Sequence, residues 1–135
     1  MAERVKEVMS TNIHCCSVEA TIPEVAHIMV THDVSAVIVL DADDYLAGII
    51  SRTDLVELRG FDEYWHGLTA RHVMKTDVIT CAADLPLREA SQMLVQHKIH
   101  RLVVVEPGGK EGALRPVGVL SQTDIVRDMA ASVTK

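Results

Sequence analysis

Cysteine, aromatic side chains and long apolar runs are all scarce in this chain of 135 residues. Its 3 cysteines, Cys15, Cys16 and Cys81, are an odd number with no C-x-x-C spacing. That excludes a disulfide framework or a structural zinc site as the organising device, and reduced thiols filling small apolar spaces are expected instead. No apolar run approaches the ~20 residues needed to span a bilayer, and the opening Met1-Ala2-Glu3-Arg4-Val5-Lys6 carries no signal-peptide pattern. A cytoplasmic protein without a membrane partner is expected. Basic residues are outnumbered, 13 Lys and Arg against 19 Asp and Glu, and the net charge of −6 disfavours a nucleic-acid partner, which would need cations to neutralise phosphates. A small anionic ligand stays open, because one or two placed cations suffice for it.

Signatures of catalysis are missing too. There is no Ser-His-Asp order, no recognisable pair of carboxylates and no glycine-rich phosphate loop, so the chain is expected not to be an enzyme. His97 and His100, and the adjacent His14-Cys15-Cys16, lack chelating spacing, so no metal is expected. Asp41-Ala42-Asp43-Asp44 lacks the glycine and distal glutamate of a calcium loop and reads as a solvated turn.

What the chain does have is itself, twice. The segment from Val8 to Asp41 aligns without a gap on Val73 to Glu106, at a shift of 65 residues (74 − 9, from Met9 to Met74). Thr11 falls on Thr76, Cys16 on Cys81, Glu24 on Glu89, His32 on His97 and Val39 on Val104. After a longer turn in the second copy, Gly48-Ile49-Ile50-Ser51-Arg52-Thr53-Asp54-Leu55-Val56 matches Gly118-Val119-Leu120-Ser121-Gln122-Thr123-Asp124-Ile125-Val126. A tandem repeat implies two similar units about a pseudo-twofold axis, with any cleft between them occurring in two related versions. Residues 1–64 form the first repeat with its linker and 65–135 the second; lobes of about 60 to 70 residues are marginal alone, so joint folding is expected.

Each copy carries the same signals in the same order. A short helical start ends at Val8-Met9 or Val73-Met74 and leads to an extended piece, Asn12-Ile13-His14 or Asp77-Val78-Ile79. An amphipathic helix follows, with Ile22, Val25, Ala26 and Met29 on one face in the first copy and Leu87, Ala90 and Leu94 in the second. Thr21-x-x-Glu24 reads as a capping box, and Pro86 suits a helix's opening turn. The runs Ala36-Val37-Ile38-Val39-Leu40 and Leu102-Val103-Val104-Val105 are too continuously apolar for half-exposed strands and read as buried ones. Turns at Asp41-Ala42-Asp43-Asp44 and Glu106-Pro107-Gly108-Gly109-Lys110 precede a second strand, Leu46 to Ile50 or Pro116 to Leu120, and a last helix begins at Ser51 or Ser121. The fold class is α+β: β-α-β-β-α, twice. The linker Phe61-Asp62-Glu63-Tyr64-Trp65 holds three of the chain's four aromatics (1 Phe, 2 Tyr, 1 Trp), expected to cover the core or a dimer contact.

That order, with G-h-h-S-x-T-D-h-h closing both copies, resembles the tandem cystathionine β-synthase (CBS) domain pair, or Bateman module. The resemblance implies a regulatory module that binds adenine nucleotides or related adenosyl compounds, and nearly the whole chain takes part in it. The segment Lys98-Ile99-His100-Arg101-Leu102-Val103-Val104-Val105 is further similar to the nucleotide-binding γ subunit of AMP-activated protein kinase, which implies that His100 and Arg101 face phosphates. An Arg fork suits a phosphate bidentately, while a plain strand-edge Arg that snorkels is the alternative.

Ser51 and Asp54, like Ser121 and Asp124, also have a purely structural reading as helix N-cap and N3. A carboxylate there can equally accept both hydroxyls of a ribose, with the helix N-terminus favouring a phosphate; the resemblance implies that ribose role. It also implies one pocket from Ser51, Thr53, Asp54, Asp77, Val78, Ile79, His100 and Arg101. A second, weaker pocket would draw on Asn12, Ile13, His14, Ser35, Ser121, Thr123 and Asp124, since Ser35-Ala36 stands where the second copy has His100-Arg101. The expected ligand is AMP, ADP or ATP, with no required cofactor. The expected assembly is a homodimer acting on an unidentified separate protein. A ligand-free interaction module, an NAD or S-adenosylmethionine site, and a redox role for Cys15, Cys16 and Cys81 remain as alternatives.

Overall fold

Two compact units make up the chain, one of His14–Val78 and the other of Met1–Ile13 with Ile79–Lys135. The structure, a computed structural model, describes residues 2–133; residues 1, 134 and 135, which include the outer ends of the two repeats, lie outside them. Packing therefore regroups the repeats: the segment ending at Ile13 joins the second copy's unit, and the segment ending at Val78 stays with the first.

The unit of His14–Val78 contains β1 (Cys15–Ser17), α1 (Ile22–His32), β2 (Ala36–Leu40), β3 (Leu46–Ser51), α2 (Arg52–Phe61) and the single turn α3 (Ala70–Val73). The other contains β4 (Thr80–Ala82), α4 (Leu87–Gln96), β5 (Arg101–Pro107), β6 (Leu114–Ser121) and α5 (Gln122–Ala131), with a 3-10 turn at Val5–Glu7. Each sheet has three strands, ordered β1-β2-β3 and β4-β5-β6, the first pair parallel and the second antiparallel. A parallel pair needs a crossover, and α1 and α4 supply it.

Local chemistry explains where these elements start. Thr21 caps α1: its hydroxyl accepts from the Glu24 N–H at 3.3 Å while the Glu24 carboxylate accepts from the Thr21 N–H at 3.0 Å. Pro86 sits one position before α4 rather than in its first turn, as the N-cap, and the Leu87 N–H donates to the Glu3 carbonyl at 2.8 Å. Ile22, Val25 and Met29 are buried along α1, and Leu87, Ala90 and Leu94 along α4. They pack on the apolar runs of β2 and β5, giving cores around Val25, Met29, Val37, Val39 and Ile50 in one unit and Leu94, Leu102, Val104 and Leu120 in the other. Burying each such side chain contributes about 1.5–3 kcal/mol.

The regrouping has the same chemistry twice. Ala70, fully buried, donates its N–H to Ala20 at 2.8 Å, and Val5, also fully buried, donates to Leu85 at 3.0 Å. Cys16 and Cys81 belong to the two cores, and Cys15 is half-buried. Burial pushes all three thiols up, Cys16 to about 11.

Two expectations are corrected. The first strand of each unit is not Asn12-Ile13-His14 or Asp77-Val78-Ile79 but starts just beyond, at Cys15 and Thr80. His14 and Ile79 contribute only a carbonyl, accepting from Ile38 at 3.0 Å and Val103 at 3.3 Å. Of the two places expected for the linker aromatics, the core or a dimer contact, the core is not where Phe61 and Tyr64 lie: they are 92% and 74% exposed, while Trp65 is half-buried with the Arg59 guanidinium 5.7 Å from its ring centroid.

Candidate functional site

The site is built from a glycine outward. Gly48 in β3 lies so close to the segment before β4 that an added Cβ would stand 2.7 Å from the Lys75 carbonyl oxygen and 2.8 Å from the Met74 sulfur. This approach lets Ile49 and Lys75 exchange two backbone hydrogen bonds, both 3.0 Å long. Gly118 does the same in the other unit, where the added carbon would meet the Met9 sulfur at 2.8 Å and the Ser10 oxygen at 2.9 Å. The glycine opening each G-h-h-S motif is thus a close-approach residue.

Three residues on, β3 ends and α2 starts at Ser51. The Ser51 hydroxyl accepts from the Asp54 N–H at 3.2 Å, and Asp54 Oδ2 accepts from the Ser51 N–H at 2.8 Å. Both groups of the expected capping are therefore present. Asp54 is also the buried charged residue among the described residues, 8% exposed. Its second oxygen, Oδ1, lies 3.3 Å from the Lys75 ammonium, which is itself 62% exposed. A buried carboxylate needs such partners, because an unpaired one would cost several kcal/mol.

The equivalent corner of the other unit differs in charge. Ser121 and Asp124 form the same reciprocal bonds at 2.9 and 3.1 Å, but Ser10 occupies the position of Lys75. Asp124 instead has the Arg127 guanidinium at 3.9 Å, one helical turn along α5. The sequence alone does not single out Lys75. Its signal is the Ser10-to-Lys75 mismatch in an otherwise well-matched stretch, but only the structure shows that the ammonium reaches Asp54.

The remaining predicted residues divide between the units. Ser51, exposed Thr53 and Asp54 share one with exposed Asp77 and half-buried Val78, and also with His14 and Ser35. There Ala36 pairs with Ser51 across the sheet, the Arg52 N–H donates to the Ser35 carbonyl at 2.9 Å, and the His14 ring stacks on His32 with centroids 4.2 Å apart. Ser121, Thr123 and Asp124 share the other unit with Asn12, Ile13, Ile79, His100 and Arg101. In that unit Arg101 pairs with Ser121, the Gln122 N–H donates to the His100 carbonyl at 3.0 Å, and the His100 ring lies 3.3 Å from the Gln122 side chain. Within its unit, then, the His-Arg pair stands beside Ser121, and Ser35-Ala36 beside Ser51.

Among the described residues no group of three His, Cys, Asp or Glu side chains could hold a metal, and no helix is long and apolar enough to cross a membrane. What the Asp54 corner can do chemically is accept hydroxyl donors at a buried carboxylate beside an exposed ammonium.

Duplicated β-α-β-β-α units with an Asp-bearing helix start define a class, and comparison with known proteins names it. The model of the CBS domain matches residues 5–60 and again 70–131. The chain belongs to the CBS domain family, and its two copies make it a CBS-domain pair, a Bateman module. It is 30% identical to the CBS domain-containing protein YhcV of Bacillus subtilis, over 95% of this chain and 90% of that one. It is 35% identical to the inosine-5'-monophosphate dehydrogenase of Halobacterium salinarum over 70% of this chain, which is only 18% of the dehydrogenase. Against a Methanopyrus kandleri protein, MK0525, at 30% identity, it spans 61% of that protein's length. The CBS domain pair of protein MJ0100, solved in complex with 5'-methylthioadenosine and S-adenosyl-L-methionine, shares the fold at a TM-score of 0.83 and 23% identity, with 96% of this chain and 97% of that one covered. A CBS-domain containing protein of Agrobacterium tumefaciens does so at a TM-score of 0.81 and 23% identity, covering 96% and 95%.

Proposed function

We propose that this CBS-domain pair is a regulatory module that binds an adenine nucleotide, AMP, ADP or ATP, and reports its occupancy to a separate protein. The observation that carries the reading is Asp54: a buried carboxylate at a helix start, with an exposed ammonium as its partner. Such a carboxylate can accept the two hydroxyls of a ribose, and the first turn of α2 together with Lys75 favours the negative charge of a phosphate. The ligands of the MJ0100 domain pair are adenosyl compounds, which supports an adenosyl ligand here without fixing its phosphates. The dehydrogenase relative matches only over a minor share of its own length, in keeping with a regulatory rather than a catalytic role.

Regulation works by linkage: the ligand shifts a conformational or dimer equilibrium by no more than its differential affinity for the two states. A cytoplasmic homodimer of this duplicated chain, with its sequence repeats at 1–64 and 65–135, is part of this proposal. So is a weaker second site around Ser121 and Asp124, and a phosphate role for His100 and Arg101.

One observation favours a rival. Both oxygens of Asp54 are already engaged, so it also serves as a cap, and a ligand-free interaction module would need nothing more. A thermal-shift titration with AMP, ADP, ATP, NAD and S-adenosylmethionine separates the two. At 100 times its dissociation constant a ligand that binds only the folded state adds about 2.7 kcal/mol. Stabilisation by nucleotides that Asp54→Ala abolishes, and that Arg101→Ala weakens for phosphorylated ligands, supports the regulatory reading. No stabilisation by any of them supports the interaction module.

A further inference from the structure

The geometry points to Lys75 as the residue that makes the Asp54 site select a phosphorylated ligand. The inference rests on the nucleotide-binding reading above. Asp54 Oδ2 is held by the Ser51 N–H, so the oxygen that must turn to a ribose is Oδ1, the one Lys75 covers at 3.3 Å. A ribose hydroxyl arriving there competes with the ammonium. A ligand without phosphate leaves that ammonium without the anion that neutralised it, and the net gain is small. A ligand with a phosphate gives the displaced ammonium a new anionic partner, and Lys, a point charge on a flexible four-carbon stem, can swing from one to the other. With 62% of the Lys75 side chain exposed, packing does not hold it in place.

Arg52, at the first position of α2, pairs with Asp33 at 3.1 Å. Gly48 fixes where Lys75 starts from, since the close approach at Gly48 brings the Lys75 backbone against Ile49. In the other unit the Lys75 position is Ser10, so the Asp124 corner has no such exchange partner from this segment.

The test is isothermal titration of the full chain with AMP and with adenosine, at one ionic strength, for wild type, Lys75→Gln and Lys75→Arg. The inference expects wild type to prefer AMP. Lys75→Gln should cut the AMP-to-adenosine affinity ratio by about tenfold, the order of one charge-assisted hydrogen bond, with adenosine bound as well as before or better. Lys75→Arg, which keeps the charge, should retain most of the ratio. An unchanged ratio in Lys75→Gln, with both ligands still bound, overturns the role of Lys75 and leaves the nucleotide-binding reading standing. Failure of wild type to bind either ligand overturns this inference, and if ADP and ATP also fail to bind it overturns that reading as well.

Discussion

Replacing Gly48 by alanine adds one carbon at the place the fold tolerates it least. The new Cβ would lie 2.7 Å from the Lys75 carbonyl oxygen and within 2.9 Å of two Met74 side-chain atoms. Met74 is flexible and can yield, but the Lys75 carbonyl is backbone and is paired with Ile49 through two 3.0 Å hydrogen bonds. Relief therefore requires the segment around Lys75 to move off β3. Overpacking of this kind costs about 1–3 kcal/mol, and two weakened backbone bonds add roughly 0.5–1.5 kcal/mol each. A loss of about 2–6 kcal/mol is expected, or roughly 6–20 °C in Tm for a domain of this size. Gly118→Ala should lose a similar amount, since its added carbon meets Met9 and the Ser10 backbone. The control is Gly60→Ala in α2, where an added carbon meets nothing within 4 Å and alanine should stabilise the helix by up to about 1 kcal/mol. Thermal and urea unfolding of the three variants decide the matter. If Gly48→Ala proves as stable as Gly60→Ala, the close approach is not what the motif's glycine is for.

Other expectations follow from the same geometry. Asp54→Ala and Asp124→Ala each remove a capping carboxylate and should cost about 1–2 kcal/mol in urea unfolding; Asp54→Ala should cost more, because it also breaks the closer ion pair with Lys75. Hydrogen bonds from Thr21 hold the Glu24 carboxyl below its ordinary value, so its contribution is present above the ordinary glutamate range and is lost as pH falls through the depressed value. Glu24→Gln should therefore flatten the acid limb of the stability profile just below pH ~4.3; an unchanged limb would contradict this. In a thiol-reagent titration Cys15 should react first. Cys16, pushed up to about 11, and core-buried Cys81 should wait for denaturant, and rapid native reaction of Cys16 would show that its site opens.

The repeat made much of this architecture readable in advance, for reasons that are local. The capping boxes at Thr21 and Ser51 depend on residues three apart, and the β2 run is apolar at every position because it is buried between neighbours. Features that depend on distant partners were not readable. Asn12-Ile13-His14 has the composition of a strand, yet the ladder starts at Cys15, because pairing begins where β2 offers partners. That Val5 packs with Leu87 and Leu120 while Ala70 packs with Val25 depends on bonds such as Lys6 to Ala83 and Arg71 to Val18, far apart in the sequence. Phe61 and Tyr64 look like core residues by type but sit at the exposed end of α2 and in the turn after it. At the candidate site, spacing identified Ser51 and Asp54, but Lys75, 21 residues beyond Asp54 (75 − 54), reaches it only through the Gly48 contact.

The most direct test of the account is a calorimetric titration of AMP into wild type, Asp54→Ala and Asp124→Ala, with each variant's fold checked by its melting curve. The account predicts measurable binding to wild type, loss of the tighter site in folded Asp54→Ala, and its retention in Asp124→Ala. Equal affinities at two sites, equal effects of the two substitutions, or no heat of binding in wild type would contradict it.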